Sequence, residues 1–215
     1  MQYLIFDIET IPLPSLAEPL EQEVARRTER EVDRGKFTPE EADSFVRSIS
    51  PFFGRVLAVG MRLYNDATGE TRDKVISEAT EEETLKAFFE TINPAASRDL
   101  RYVHYNGLGF DVPFLIIRAA FYGIEIQNRR FLNQARFRFD PHVDIMQFLS
   151  RWGREGVSLD MACHSFGIPS PKEGAVKGES VAAAFEAGDL DAVRDYVMRD
   201  VEATHQLFLK IKPYL

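Results

Sequence analysis

One cysteine, Cys163, is all the chain contains, so no internal disulfide closes and no thiolate cage for zinc is built from these residues. A reducing compartment follows, and the reading is a cytoplasmic protein. Long apolar runs are missing too: the apolar start MQYLIF is broken at once by Asp7 and Glu9, and nothing approaches the roughly 18 residues of a membrane-crossing helix. No membrane association is expected. Positive charge is in short supply, with 26 Lys and Arg against 34 Asp and Glu and a net charge of -8. That balance argues against a protein that coats duplexes by basicity alone. It leaves nucleic acid open, because a site built from several carboxylates adds negative charge that divalent cations neutralise, and a local basic strip outweighs the sum. The four histidines, His104, His142, His164 and His205, fall in no pair with ligand spacing on one element and are read as core or surface residues.

What is present reads as a single α/β domain over residues 1–215. Tyr3, Ile5, Asp7 and Glu9 alternate with Leu4, Phe6 and Ile8, which is a strand apolar on both faces until its C-terminal end, hence a central one. From about residue 15 to 50 the composition turns to charged helix formers, with Thr38 as N-cap ahead of Pro39, so a helical insertion follows the first strand. GRVLAVGMRLY and TRDKVISEA flank the turn NDATGE, the pattern of an antiparallel hairpin. Thr80 with Glu83 forms a capping box before a helix. RYVHYN then runs as a strand through GLGFDVP into the helix PFLIIRAAFYG, ended by Gly123, a parallel strand–turn–helix unit. A short strand near HVDIM precedes helices at SLDMACHSF, ESVAAAFEAG and, capped by Asp189, DLDAVRDYVMRDVEATHQLFLKI.

Acids stand at the ends of these elements. Asp7 and Glu9, two apart on a strand, leave one face about 7 Å apart at Cα and can share a divalent ion. Taken alone they are equally acids that end a strand. Asp111 sits in the turn before a helix, either as its N-cap beside Pro113 or, since ligands in open α/β sheets lie beyond the carboxyl ends of the strands, next to Asp7. Asn106 in the same turn either shapes the turn before Gly107 or donates to a substrate. Tyr196 and Asp200, four apart on the last helix, share a face one turn apart. Each also has a plainer reading, a partly buried aromatic and a solvated or arginine-paired acid.

Their order carries more than any one of them. D-x-E on the first strand, N-x4-D after a later strand and Y-x3-D on the last helix resemble the three motifs of DEDD-type 3′–5′ exonucleases of the tyrosine subclass. FDIET and YNGLGFDVPFL are similar to the first and second exonuclease motifs of the proofreading domain of family B DNA polymerases. The resemblance spans Tyr3 to Phe208 and is that of a free-standing relative of the proofreading domain. It implies a ribonuclease-H-like mixed sheet, an antiparallel hairpin plus parallel strands, with helices on both faces. It implies also that Asp7 bridges two metal ions, that Glu9 and Asp200 hold the first, that Asp111 holds the second directly or through water, and that Tyr196 orients the attacking water. The histidine subclass carries its histidine one residue earlier, where this chain has Asp195. Leu13 matches a leucine that wedges against the terminal base. Thr10 and Phe110, beside Glu9 and Asp111, join Leu13 and Asn106 as candidate substrate contacts.

The residue types agree with such chemistry on their own terms. Two divalent ions roughly 4 Å apart activate a water and stabilise a leaving 3′ oxygen, which calls for hard oxygen ligands and so for Mg²⁺ or Mn²⁺. The segment 128–139 carries Arg129, Arg130, Arg136 and Arg138 among Phe131, Phe137 and Phe139 with no acid. It suits single-stranded nucleic acid, with Arg136 and Arg138 as phosphate contacts; equally it suits an edge strand and loop whose phenylalanines are core. Lys172 and Lys177 lie in a loop of solvated character. Asp144 reads either as a helix N-cap or as an acid supporting the metal ligands. The expected activity is therefore metal-dependent 3′–5′ exonucleolysis of single-stranded DNA or frayed 3′ ends. The rivals are an exoribonuclease using the same site, which differs only in contacts to the 2′ position, and a non-catalytic single-strand-binding module, disfavoured because every carboxylate and the tyrosine are in place.

Overall fold

The structure, a computed structural model, describes residues 1–93, 99–153, 155–172 and 181–215. β1 (Gln2–Pro12) is central because both its faces are apolar. β2 (Gly54–Asn65) runs antiparallel to it and to β3 (Thr71–Ile76), while β4 (Arg101–His104) runs parallel to β1 and to β5 (His142–Asp144). The order across this mixed sheet is β3-β2-β1-β4-β5. The hairpin turn and the strand–turn–helix unit are where the sequence places them.

Strand alternation divides the core in two. On one face Leu4, Phe6 and Ile8 pack with Phe88 and Phe89 of α3 (Glu81–Ile92) and with Phe114 and Leu115 of α4 (Asp111–Phe121). On the other, Tyr3 and Ile5 pack with Cys163 of α6 (Leu159–Phe166) and with Val201, Leu207 and Phe208 of α8 (Leu190–Ile211). Thr80 closes its capping box with Glu83, and Asp189 accepts the Ala192 amide to start α8, as their spacing predicts. A buried ion pair, Arg118 Nε to Glu81 Oε1 at 2.8 Å, ties α4 to α3, and the same oxygen accepts the Val56 amide of β2 at 2.8 Å. That pair fixes the helix whose first residue is Asp111.

Between β1 and β2 the chain leaves the sheet as α1 (Glu18–Asp33) and α2 (Pro39–Ser48). These helices bury Val24 and Val46 against Phe53 and have Thr38 in its own capping box. α5 (Ile145–Ser150) and α7 (Val181–Glu186) complete the described α-helices, and no described helix is long and apolar enough to cross a membrane. The edge-strand reading of 128–139 is not what forms, since this segment is a run of turns and the sheet ends at β5. The physical reason is local. The Asn128 side chain donates to the Ile92 carbonyl at 2.7 Å and to the Tyr102 hydroxyl at 3.0 Å, and Phe131 is swallowed by the core. Phe137 and Phe139 are then left to follow a separate path.

Candidate active site

The odd-numbered residues of β1 face α8. Tyr3 meets Phe208 near the helix's end, with ring centroids 4.7 Å apart, and Ile11 packs with Val193 near its start. Asp7 and Glu9 therefore come level with the middle of α8, where Tyr196 and Asp200 share a face. One carboxylate oxygen from each of Asp7, Glu9 and Asp200 lies within 4.8 Å of the others. A register shift between Glu9 and Thr10, a bulge in the β1–β2 ladder, falls at this point, and such bulges re-aim side chains.

Asp111 approaches from the neighbouring parallel strand. It is the first residue of α4, with Phe110 at the N-cap position, so it does not cap its own helix. Its Oδ1 accepts the Ile8 amide at 3.1 Å, and the residue is 2% exposed. It stands beside the three-carboxylate cluster, turned partly toward the backbone of β1.

Four acids this close repel one another. Burial, then the charges of Asp111, Asp200 and Glu9, push the Asp7 carboxyl well above its ordinary range. Burial, then Asp200 and Asp111, do the same for Glu9. Burial lifts Asp111 to about 7 against the opposing pull of His104 and of backbone amides, and lifts Asp200 to about 6 against Arg199 and Lys172. The Tyr196 hydroxyl is raised by burial and by Asp200, Glu9 and Asp7, so it stays neutral. A pocket of oxygen donors that resists ionisation in the absence of a counter-charge fits a divalent cation, and its hard donors fit Mg²⁺ or Mn²⁺.

A family model described as "Predicted 3'-5' exonuclease related to the exonuclease domain of PolB" matches residues 49–214. The chain belongs to this family. No curated protein matches it by sequence. Among solved structures it is similar to the family B DNA polymerase of the hyperthermophilic archaeon Pyrobaculum calidifontis, at 19% identity and a TM-score of 0.65 over 99% of this chain and 25% of that one. The chain thus spans a quarter of the polymerase's length, and the likeness establishes the ribonuclease-H-like fold.

In this member of the family, the remaining candidates are placed unevenly. The Thr10 hydroxyl donates to the Ser48 carbonyl at 2.8 Å, linking the site strand to α2. The Leu13 amide donates to the Phe53 carbonyl at 2.8 Å and its side chain is half-buried. Asn106 holds the turn in the left-handed region at φ 63°, while the Phe110 ring packs on Phe114 at 5.5 Å. Arg136 and Arg138 are exposed, outside the carboxylate cluster. Arg130, by contrast, is engaged with Asp140 at 2.8 Å. Lys172 is close enough for its charge to act on Asp200; Lys177 lies outside the described residues.

Asp144 is the N-cap its sequence position allowed, and it also holds the loop before Asp111. It caps α5 through the Gln147 amide at 3.3 Å, and its two oxygens accept the Asn106 and Leu108 amides at 3.0 and 2.9 Å. Burial raises its carboxyl, but His104 and the Leu108 and Gln147 amides outweigh burial and hold it below the ordinary range. It thereby sets the loop that delivers Asp111. His104 and His142 are core residues, in keeping with their sequence reading, and their partners lie across strands. His142 donates to the Phe131 carbonyl at 2.8 Å, its other nitrogen meets His104 at 3.1 Å, and His104 Nδ1 stands 3.6 Å from Asp144. Gly107 is glycine because a Cβ there would run into the His104 ring.

Proposed function

We propose that this chain is a divalent-metal-dependent 3′–5′ exonuclease acting on single-stranded DNA or frayed 3′ ends. The observation that carries the reading is the convergence of Asp7, Glu9 and Asp200 from β1 and α8, with Asp111 beside them, in a family described as predicted 3′–5′ exonucleases. Asp7, Glu9 and Asp200 would hold one ion, and Asp7 with Asp111 a second. When bound, such ions acidify the attacking water and stabilise the leaving 3′ oxygen. Tyr196, kept neutral by its surroundings, is a poor base and instead positions that water through its hydroxyl. Leu13, Thr10, Asn106 and Phe110 rim the site on the side of the terminal nucleotide, and the exposed Arg136 and Arg138 meet phosphates further along the strand. DNA is favoured over RNA because the similar solved structure is a DNA polymerase.

The test is degradation of 5′-labelled DNA and RNA oligonucleotides with Mn²⁺, with Mg²⁺ and with chelator. A ladder shortening from the 3′ end, lost with chelator and lost in Asp7→Ala, is the expected result, stronger on DNA. Cleavage that survives chelation, or that Asp7→Ala leaves intact, overturns the assignment.

A further inference from the structure

Among the described residues, those other than glycine with a positive φ are Asn106, Phe137, Arg151 and Trp152, at 63°, 62°, 52° and 59°. Of these, Trp152 lines a groove of about 320 Å³ together with Leu108, Gly109 and Arg136, and Phe137 and Arg151 are the chain neighbours of Arg136 and Trp152. Asparagine tolerates the left-handed region, whereas bulky side chains resist it, and such strain persists where a surrounding structure enforces it, often at ligand clamps. Here the outcome is a set of rings led out of the core. Phe148 touches Phe139 at 5.8 Å, Phe139 touches Trp152 at 6.1 Å, and Trp152 touches Phe137 at 5.2 Å between centroids. The last ring, Phe137, is 70% exposed.

Arginines gather at these rings. The Arg136 guanidinium lies 5.7 Å over the Phe137 ring, Arg138 and Arg151 are exposed, and no acid occurs between residues 128 and 139. The groove is also close to the carboxylates, since Gly109 precedes Asp111 by two residues, at most about 7 Å of chain. Open aromatic faces interleaved with arginines are what an unpaired nucleic-acid strand recognises, because every base has a face to stack and every linkage a charge to neutralise. A base inside a duplex is already stacked and cannot use them.

We infer that this groove is a base-stacking subsite for single-stranded nucleic acid, in which Phe137 and Trp152 receive an unpaired base and Arg136 the adjoining phosphate. It rests on the exonuclease reading only for where the 3′ end of that strand lies. The subsite makes the enzyme select unpaired over paired ends by binding rather than by chemistry.

Trp152 is the chain's sole tryptophan, so its emission reports this groove alone. The full chain carrying Asp7→Ala, which binds without cutting, is titrated with single-stranded oligothymidylate while anisotropy of a labelled copy follows total binding. Saturable quenching of Trp152 in step with anisotropy is expected. Phe137→Ala weakens binding about tenfold or more, Phe137→Tyr restores it, and a blunt duplex of equal length does not quench. With Asp7 restored, Phe137→Ala raises KM on the oligonucleotide and leaves kcat on a dinucleotide unchanged. Anisotropy that saturates with flat Trp152 emission, or with affinity unmoved by Phe137→Ala, overturns the subsite while hydrolysis by the unaltered chain still upholds the exonuclease. Quenching without any hydrolysis does the reverse.

Discussion

Gly60 of β2 lies beneath Val197 of α8 with no room for a side chain between them: a Cβ added at Gly60 would stand 2.8 Å from the Val197 Cγ2. Gly60 is also the ladder partner of Asp7. The absence of one side chain therefore sets how closely the helix bearing Tyr196 and Asp200 approaches the strand bearing Asp7 and Glu9. Gly60→Ala overpacks this contact at a cost of about 1–3 kcal/mol, or a melting temperature lower by roughly 2–10 °C for a chain of this size. The same displacement separates the carboxylates. Nuclease activity should fall further than stability does, as measured at a temperature where the variant is fully folded.

Asp7→Ala should abolish hydrolysis and yet raise the melting temperature of the metal-free protein, because the lost carboxylate is buried and repelled by Asp111, Asp200 and Glu9. The unaltered protein should gain stability from Mn²⁺, about 2.7 kcal/mol at a hundredfold excess over the dissociation constant. Melting curves with and without Mn²⁺ check both halves, and a variant that still gains from Mn²⁺ argues that the ion sits elsewhere.

Acidity should act on the metal-free fold in the direction opposite to most proteins. In the unfolded chain Asp carboxyls titrate near 3.9, but in the fold burial holds Asp200 up at about 6 and Asp111 at about 7. Over that range the folded state binds more protons than the unfolded, so stability falls as pH rises from about 4 through about 7, and the raised Asp7 and Glu9 act in the same direction. Urea midpoints in chelator across that range measure the slope. Saturating Mn²⁺ should cancel or invert it, since a held cation favours the ionised carboxylates.

Tyr196→Phe and Asp200→Asn should separate the proposed positioning hydroxyl from the proposed ligand. The first removes one hydrogen bond, about 1–3 kcal/mol or a roughly 5- to 150-fold loss in kcat. The second removes charge that would hold the cation and should cost more. Single-turnover rates at saturating Mn²⁺ decide, and the reverse order would give Tyr196 a different role.

Asp144→Asn leaves the Asn106 or Leu108 amide without its acceptor in a site from which water is excluded. The loop that ends at Asp111 loosens, and affinity for Mn²⁺ should drop about 10–100-fold, as for groups that orient metal ligands. Calorimetric titration with Mn²⁺ measures the drop.

The parts of this molecule legible in its sequence are those that local rules determine. Thr38, Thr80 and Asp189 start helices because their side chains cap within three residues. Asp7 and Glu9 face one way because a strand alternates. Tyr196 joins them because Val193 and Val197 fix which side of α8 is buried. What stayed hidden depends on cross-strand neighbours. His104 and Asp144 are register partners across β4 and β5, yet nothing in their separation along the chain announces it. The aromatic residues of 128–139 carry no alternation that separates core from surface, so Phe131 and Phe137 look alike in sequence and differ entirely in burial.

The two ends of the α1–α2 excursion meet. Pro12 and Gly54, which bound it, are paired across the β1–β2 ladder, so in topological terms the whole of residues 13–53 is an enlarged hairpin loop. Closing a long loop on a ladder already zipped costs little more than closing a short one, and a tight turn from Pro12 to Gly54 would preserve every strand register. The excursion is thus removable without redrawing the sheet. Its hold on the rest runs through Thr10 to Ser48, at the rim beside Glu9, and through the Pro51 carbonyl, which accepts from Arg118 at 3.2 Å, and the Phe52 ring, which meets Phe121; it is in this sense an exchangeable module, a place where what reaches the carboxylates can change while the fold beneath stays the same.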